Sequence, residues 1–142
     1  MSTERGTDGQ LPESPAARRS RLGLAALMVG SGVTHFVAPA AYERIVPRWA
    51  GDVRRVVLAS GAAEIACGAL LSSRRTGRAG AVLTSALLVA VFPANLQMAL
   101  DAGTEHQAVP DMPVGRFRAI ALARLPLQLP LIGWALRVAK GH

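Results

Sequence analysis

The stretch AGAVLTSALLVAVFPANLQMAL, residues 79–100, decides the fold class of this chain. It contains no charged residue, and its apolar side chains occur all round the helical circumference, whereas a helix on the surface of a soluble protein carries a polar stripe. At 1.5 Å per residue, about 22 residues extend about 33 Å, which matches a hydrocarbon core of about 30 Å. The stretch therefore predicts a membrane-spanning helix.

Three more apolar stretches lie along the chain, at residues 22–38, 56–71 and 117–138. Because the connections between them are short, consecutive spans must reverse direction. The sequence therefore predicts an all-α fold, a four-transmembrane-helix antiparallel bundle formed by residues 21–142. Residues 1–20 are rich in Gly, Pro, Ser and Glu and contain little to bury, so they predict a disordered cytoplasmic tail.

The segment after the first span has the pattern of a short amphipathic helix. Tyr42, Ile45, Val46 and Trp49 follow one another at helical spacing, and the charged residues between them take the other side. Tyr and Trp favour the headgroup region of a bilayer. We therefore expect a short interfacial helix over residues 42–49, with a plain loop as the alternative.

The formal net charge of +7 points to anionic lipid headgroups as a partner. The basic residues cluster at the ends of the predicted spans, without the aromatic-interleaved patch or motif of a nucleic-acid-binding protein. The connection at residues 72–78 contains three arginines and no acidic residue, which favours the cytoplasmic side. The sequence therefore predicts a multi-pass protein of the inner (cytoplasmic) membrane with both termini cytoplasmic, and no nucleic-acid partner.

Cysteine and histidine usage restricts the chemistry. Cys67 is the single cysteine, so the chain can form neither an internal disulfide nor a CxxC dithiol cycle. One histidine and one carboxylate within the predicted spans fall short of a usual metal ligand set, so no metal site is predicted. The chain also has no flavin, nicotinamide or iron–sulfur motif. It is therefore not expected to be a stand-alone enzyme, and no catalytic residue is predicted.

Each predicted span contains one polar residue whose transfer into hydrocarbon is unfavourable, and these four residues are His35, Glu64, Asn95 and Arg124. Such residues are expensive within a membrane and mark functional sites. Counted from the outer ends of their spans, these four residues lie at similar depths in the outer half of the bilayer, and a glutamine one turn further on extends the fourth face. We therefore predict one shared site for ligand binding or proton relay, formed by His35, Glu64, Asn95, Arg124 and Gln128.

Two interpretations of this polar cluster stay open. The simpler one is a structural ion pair between Glu64 and Arg124, direct or bridged by Asn95, since opposite charges buried within reach of each other usually pair. The other is that the same group also binds a ligand or moves a proton. His35 can change its charge near neutral pH, and Glu64 is a suitable proton partner.

Four segments carry a resemblance to a known family. They are GVTHFVAPAAYERIVP (32–47), SGAAEIACGALL (60–71), VFPANLQMAL (91–100) and RLPLQLPLIGWAL (124–136). The chain resembles the DoxX-like family of small bacterial membrane proteins, which implies a four-helix integral membrane protein. The namesake of that family is linked to a quinone-reducing oxidoreductase complex. The resemblance therefore implies a quinone as a ligand and an oxidoreductase as a partner.

We accordingly expect an accessory protein whose intramembrane polar pocket binds a small amphipathic molecule for a partner oxidoreductase. A quinone suits donors such as His35, Asn95 and Arg124 in an apolar wall. One alternative is a small proton-coupled transporter with Glu64 and His35 as its relay, which would require a homo-oligomer. A purely structural membrane scaffold is another. A further alternative is an intramembrane isomerase or hydrolase, but the sequence contains no nucleophile motif that supports it.

Overall fold

The computed structural model describes residues 12–44, 46, 48–101 and 113–141. This part of the chain contains five α-helices and one short 3-10 helix, Arg48–Ala50, and no strand, so the all-α fold is confirmed. The α-helices are α1 (Pro15–Val37), α2 (Pro39–Glu43), α3 (Val53–Ser72), α4 (Gly77–Asp101) and α5 (Val114–Lys140).

Helix α1 begins before the predicted end of the disordered tail. The Ser14 side chain accepts a hydrogen bond from the backbone N–H of Ala17 at 3.1 Å, and Pro15 occupies the first helical position. A serine cap followed by proline is a strong helix start, because the cap satisfies a free N–H and proline has none to satisfy. Residues 15–20 are therefore helical, contrary to the prediction from composition. Residues 1–11 lie outside the described residues.

The closest helix packing joins α1 to α3. A Cβ atom on Gly32 would lie 2.6 Å from the carbonyl oxygen of Gly61, and a Cβ on Gly61 would lie 2.6 Å from the Cβ of His35. Further along, a Cβ on Gly68 would lie 2.9 Å from the carbonyl oxygen of Ala25. Because Gly32 faces Gly61 and Ala25 faces Gly68, the two helices run in opposite directions. Glycine is the residue that permits backbones to approach this closely.

The remaining contacts place α4 between α3 and α5, while α1 and α5 touch only slightly and α3 and α5 make little or no contact. The contact between α1 and α5 is at one end of the protein, where the indole Nε1 of Trp134 donates to Ser20 Oγ at 2.8 Å. Buried apolar side chains fill the same end, among them Leu24, Leu71 and Val138. Among the described residues, no other hydrogen bond joins α1 to α5.

By length and composition, α3 and α4 are long and apolar enough to cross a membrane. Only 28% of the most apolar segment of α3 and 22% of that of α4 is buried inside the protein. A core helix of a soluble protein would be mostly buried, so these low fractions favour a membrane setting. Helices α1 and α5, the other two predicted spans, do not reach the same hydropathy. Three arginines stand in the first turns of α1, and α5 contains five basic residues.

The predicted helix over residues 42–49 is not continuous. Helix α2 ends at Glu43, and a separate 3-10 turn follows at residues 48–50. The physical reason lies in the sequence: Pro47 has no backbone N–H, and a proline disfavours helical backbone in the residue before it. Trp49 is 77% exposed, but Tyr42 packs toward the long helices, as described below. The position of this segment at a membrane interface stays a prediction.

The glycine contact between α1 and α3 predicts opposite effects for two substitutions. We expect Gly61→Ala to reduce the free energy of unfolding by about 1 to 3 kcal/mol, because the new methyl group meets His35 and the Gly32 backbone. Gly30→Ala is the matched control, since a Cβ there has nothing within 4 Å. It should be neutral or stabilise by up to about 1 kcal/mol through helix propensity. Unfolding experiments in detergent give the free energy of unfolding of both variants. Equal changes in the two variants would contradict the close packing of α1 on α3.

Candidate functional site

A cavity of about 310 Å³ lies among α1, α3, α4 and α5, at the low end of the usual range for ligand pockets. Most of its wall is apolar. All five residues that the sequence analysis singled out line this one cavity: His35, Glu64, Asn95, Arg124 and Gln128. Ser31 and Ser60 line it too, so its polar groups come from all four long helices.

His35 and Glu64 face each other across the contact of α1 with α3. His35 Nδ1 lies 2.9 Å from the backbone carbonyl oxygen of Ser31 and 3.7 Å from Glu64 Oε2. A carbonyl oxygen can only accept, so the hydrogen bond to Ser31 requires that Nδ1 carries a proton. In the neutral ring, Nε2 is then left as an acceptor, and in the charged ring it is a second donor. The imidazole and the carboxylate thus lie side by side in the wall of the cavity.

Tyr42 covers the histidine. The two rings stack with their centroids 3.8 Å apart, and the Tyr42 hydroxyl lies 2.5 Å from Thr34 Oγ1. Helix α2 thus folds back on the end of α1 and adds an aromatic wall to the cavity. Sequence reasoning placed Tyr42 at the membrane surface and missed this role. The available signal was Pro39, which starts a new helix directly after α1 and so marks a turn of the chain.

Asn95 and Gln128 tie α4 to α5 on the opposite wall. Asn95 Nδ2 donates to Gln128 Oε1 at 3.0 Å, and Gln128 Nε2 donates to the backbone carbonyl of Leu88. The second of these hydrogen bonds reaches the backbone of α4 itself. Together they hold α5 against α4 on this side of the cavity.

The predicted pairing of Glu64 with Arg124 does not form. Among the described residues no hydrogen bond or ion pair joins them, and the partner of Glu64 within 4 Å is His35. The physical reason is the helix arrangement, because α3 and α5 do not pack on each other. Asn95 does not bridge them either, since its amide donates to Gln128. Glu64 Oε2 is buried without a hydrogen-bond partner in the described part of the chain.

The rim of the cavity is apolar. Leu27 of α1 and Leu127 of α5 both line it, and they are 42% and 57% exposed. These helices touch at Ser20 and Trp134, near their other ends. On α1 and α5, the exposed residues of the cavity wall are therefore both leucines.

The helices and the cavity define an all-helical protein with two candidate membrane-spanning helices and one polar cluster in an apolar cavity. The chain belongs to the family DUF8561, described as a domain of unknown function, whose model matches residues 24–139. The match includes every residue of the polar cluster. No curated protein and no solved structure matches the chain.

The hydrogen bonds between α4 and α5 lead to a prediction about Gln128. We expect Gln128→Leu to reduce the free energy of unfolding by about 1 to 3 kcal/mol, because the Leu88 carbonyl and the Asn95 amide lose a buried partner. The control is Gln97→Leu, which removes an amide that bonds Asp101 on the same helix. It should have a smaller effect.

The Asn95→Leu and Gln128→Leu double variant should lose less stability than the sum of the single variants, since both changes break one shared hydrogen bond. Unfolding in detergent gives all four values of this cycle. Additive losses would mean that the two side chains do not interact.

Proposed function

We propose that this chain is a multi-pass integral membrane protein whose cavity binds a small amphipathic molecule, with a quinone as the leading candidate, as an accessory to a partner oxidoreductase. One observation carries the proposal. A largely apolar cavity contains polar residues of four helices, and within it Glu64 Oε2 is buried without a hydrogen-bond donor from the residues that the structure describes. A ligand with a hydrogen-bonding head and an apolar body suits such a wall.

The four-span arrangement is part of this proposal, with α1, α3, α4 and α5 as antiparallel spans. Large apolar side chains are exposed on α1 and α5 as well as on the two more apolar helices, for example Phe36 and Leu129. A soluble monomer rarely exposes this many large apolar side chains, whereas the acyl chains of a bilayer would cover them. The basic connection at residues 72–78 supports cytoplasmic termini, with the cavity in the outer half of the inner membrane.

The chemistry of the cavity supports a ligand that both accepts and donates hydrogen bonds. The Arg124 guanidinium makes no hydrogen bond or ion pair to another described residue, so its donors can serve a ligand carbonyl. The carboxylate of Glu64 can accept from a ligand hydroxyl. Quinones carry carbonyls and quinols carry hydroxyls on the same ring. Their interconversion needs two electrons, which the partner oxidoreductase would supply, and two protons, for which His35 and Glu64 provide a path.

The apolar rim supports entry from the bilayer. A lipid-soluble molecule could pass between α1 and α5 at Leu27 and Leu127 without crossing water. The resemblance to DoxX-like proteins agrees with this function and stays a hypothesis. The second candidate is a homo-oligomeric proton-coupled transporter, which the 3.7 Å approach of His35 to Glu64 favours.

The test compares two tryptophan substitutions two residues apart on α5. Leu131 lines the cavity, whereas Leu129 does not and is 66% exposed. We expect the wild-type protein in detergent to retain decylubiquinone, counted by native mass spectrometry. Leu131→Trp should weaken retention at least about tenfold because it overfills the cavity, while Leu129→Trp should leave retention unchanged.

Arg124→Gln should also weaken retention about tenfold, since it removes a charged donor. Arg118→Gln, an exposed change outside the cavity, is its control. Equal retention in the two tryptophan variants would place the quinone elsewhere and contradict the proposal. Quinone-free protein that drives proton-coupled uptake in vesicles would favour the transporter instead.

A further inference from the structure

A second cavity, of about 440 Å³, lies at the end of the protein where α1 meets α5, away from the polar cluster. Its wall contains one acidic and five basic side chains: Glu13, Arg21, Arg74, Arg75, Arg78 and Lys140. Small apolar residues at the end of α5 complete the wall. This excess of positive charge around a concave surface favours an anionic ligand.

Arg21 and Glu13 neutralise each other within this second cavity. Arg21 is only 7% exposed, and its guanidinium donates to both carboxylate oxygens of Glu13, at 2.9 and 3.0 Å. It also donates to the backbone carbonyl of Leu71 at the end of α3. The Arg21 hydrogen bond holds the pKa of Glu13 below its usual value, so this carboxyl stays ionised at neutral pH. The one acid in the wall is therefore already engaged.

Three of the remaining basic residues have no such partner. The side chains of Arg75, Arg78 and Lys140 are exposed around the cavity and make no ion pair with another described residue. Arg78 stands in the first turn of α4, and the amino-terminal end of a long helix adds partial positive charge. Lys140 stands in the last turn of α5, where it offsets the partial negative charge of that end. The start of α4 therefore adds positive charge to the wall of the cavity, and Lys140 compensates the partial negative charge at the end of α5.

We propose that this second cavity binds a phosphate group. The guanidinium group of arginine matches the geometry of phosphate oxygens, and several arginines around one concave surface can neutralise the negative charge of a phosphate group. Basic pockets between membrane helices on the cytoplasmic side bind anionic headgroups. The phosphate belongs either to an anionic phospholipid or to a free phosphate in solution. This inference is independent of the quinone proposal, because the residues belong to the opposite end of the molecule.

The experiment uses the triple variant Arg75→Gln, Arg78→Gln, Lys140→Gln and a matched control that removes the same charge elsewhere. The control is Arg116→Gln, Arg118→Gln, Arg137→Gln, at three exposed positions that do not line the second cavity. Native mass spectrometry of protein taken from bilayers that mix phosphatidylcholine and phosphatidylglycerol measures retained lipid. In a separate arm, inorganic phosphate is added to delipidated protein in a neutral detergent, and the shift in Tm is measured.

We expect selective retention of phosphatidylglycerol by the wild-type and control proteins, and at least a tenfold loss in the triple variant, on the order expected for three basic residues. The charge-preserving variant Arg75→Lys, Arg78→Lys, Lys140→Arg should keep binding, which separates a lost site from a folding defect. Lipid retention without a phosphate shift identifies the headgroup as the source of the phosphate. A phosphate shift without lipid retention identifies free phosphate. Loss in the control as large as in the triple variant, or no binding in either arm, overturns the proposal.

Discussion

The approach of α1 to α3 at Gly32 and Gly61 sets the geometry of the polar cluster. His35 follows Gly32 by three residues, and Glu64 follows Gly61 by three residues, so each glycine lies nearly one turn from a polar side chain on the same helix. Because the backbones meet at the glycines, the imidazole and the carboxylate come within 3.7 Å of each other. A larger residue at either glycine would separate the helices and with them the two titratable groups.

The cavity exists because the helices pack mainly in two pairs, α1 with α3 and α4 with α5. Helix α1 packs along α3 and helix α5 packs along α4, whereas the described residues of α1 and α5 make few contacts, among them the hydrogen bond between Ser20 and Trp134. At the other end, the space between them is bordered by leucines and contains the polar groups. The hydrogen bonds of Asn95 and Gln128 keep α5 on α4 there, and so hold the far wall in place. Two interhelical contacts on opposite walls thus leave the cavity between them.

Sequence reasoning succeeded where the physical cause is local. A polar residue within an apolar stretch is expensive wherever the stretch packs, so the five residues could be selected one stretch at a time, and they share one cavity. Pairing is different, because it depends on which helices are neighbours. Glu64 lies beside His35 rather than Arg124 because α3 adjoins α1 and not α5. Neither the sequence of α3 nor that of α5 indicates which helices are neighbours.

Other differences came from giving composition more weight than local signals. The serine and proline at positions 14 and 15 start α1 within a segment whose composition predicts disorder. Pro47 interrupts a helical pattern that the apolar spacing predicts, and Tyr42 lines the cavity and stacks on His35, which the spacing does not indicate. The second cavity forms where the start of α1, the start of α4 and the end of α5 meet. These segments are far apart in the sequence, so residue spacing alone could not reveal the cavity.

The proposed function requires that the polar cluster lies within a membrane, although α5 does not reach the hydropathy of a membrane span. Fluorescence of a single tryptophan at Leu127, on the rim of the cavity, tests it in vesicles. The variant carries Leu127→Trp with Trp49→Phe and Trp134→Phe, and its Tm is checked because Trp134 bonds Ser20. If the cluster lies within a membrane, the emission is blue-shifted, quenched by lipids brominated on their acyl chains and insensitive to aqueous iodide. Water-like emission quenched by iodide would contradict this location.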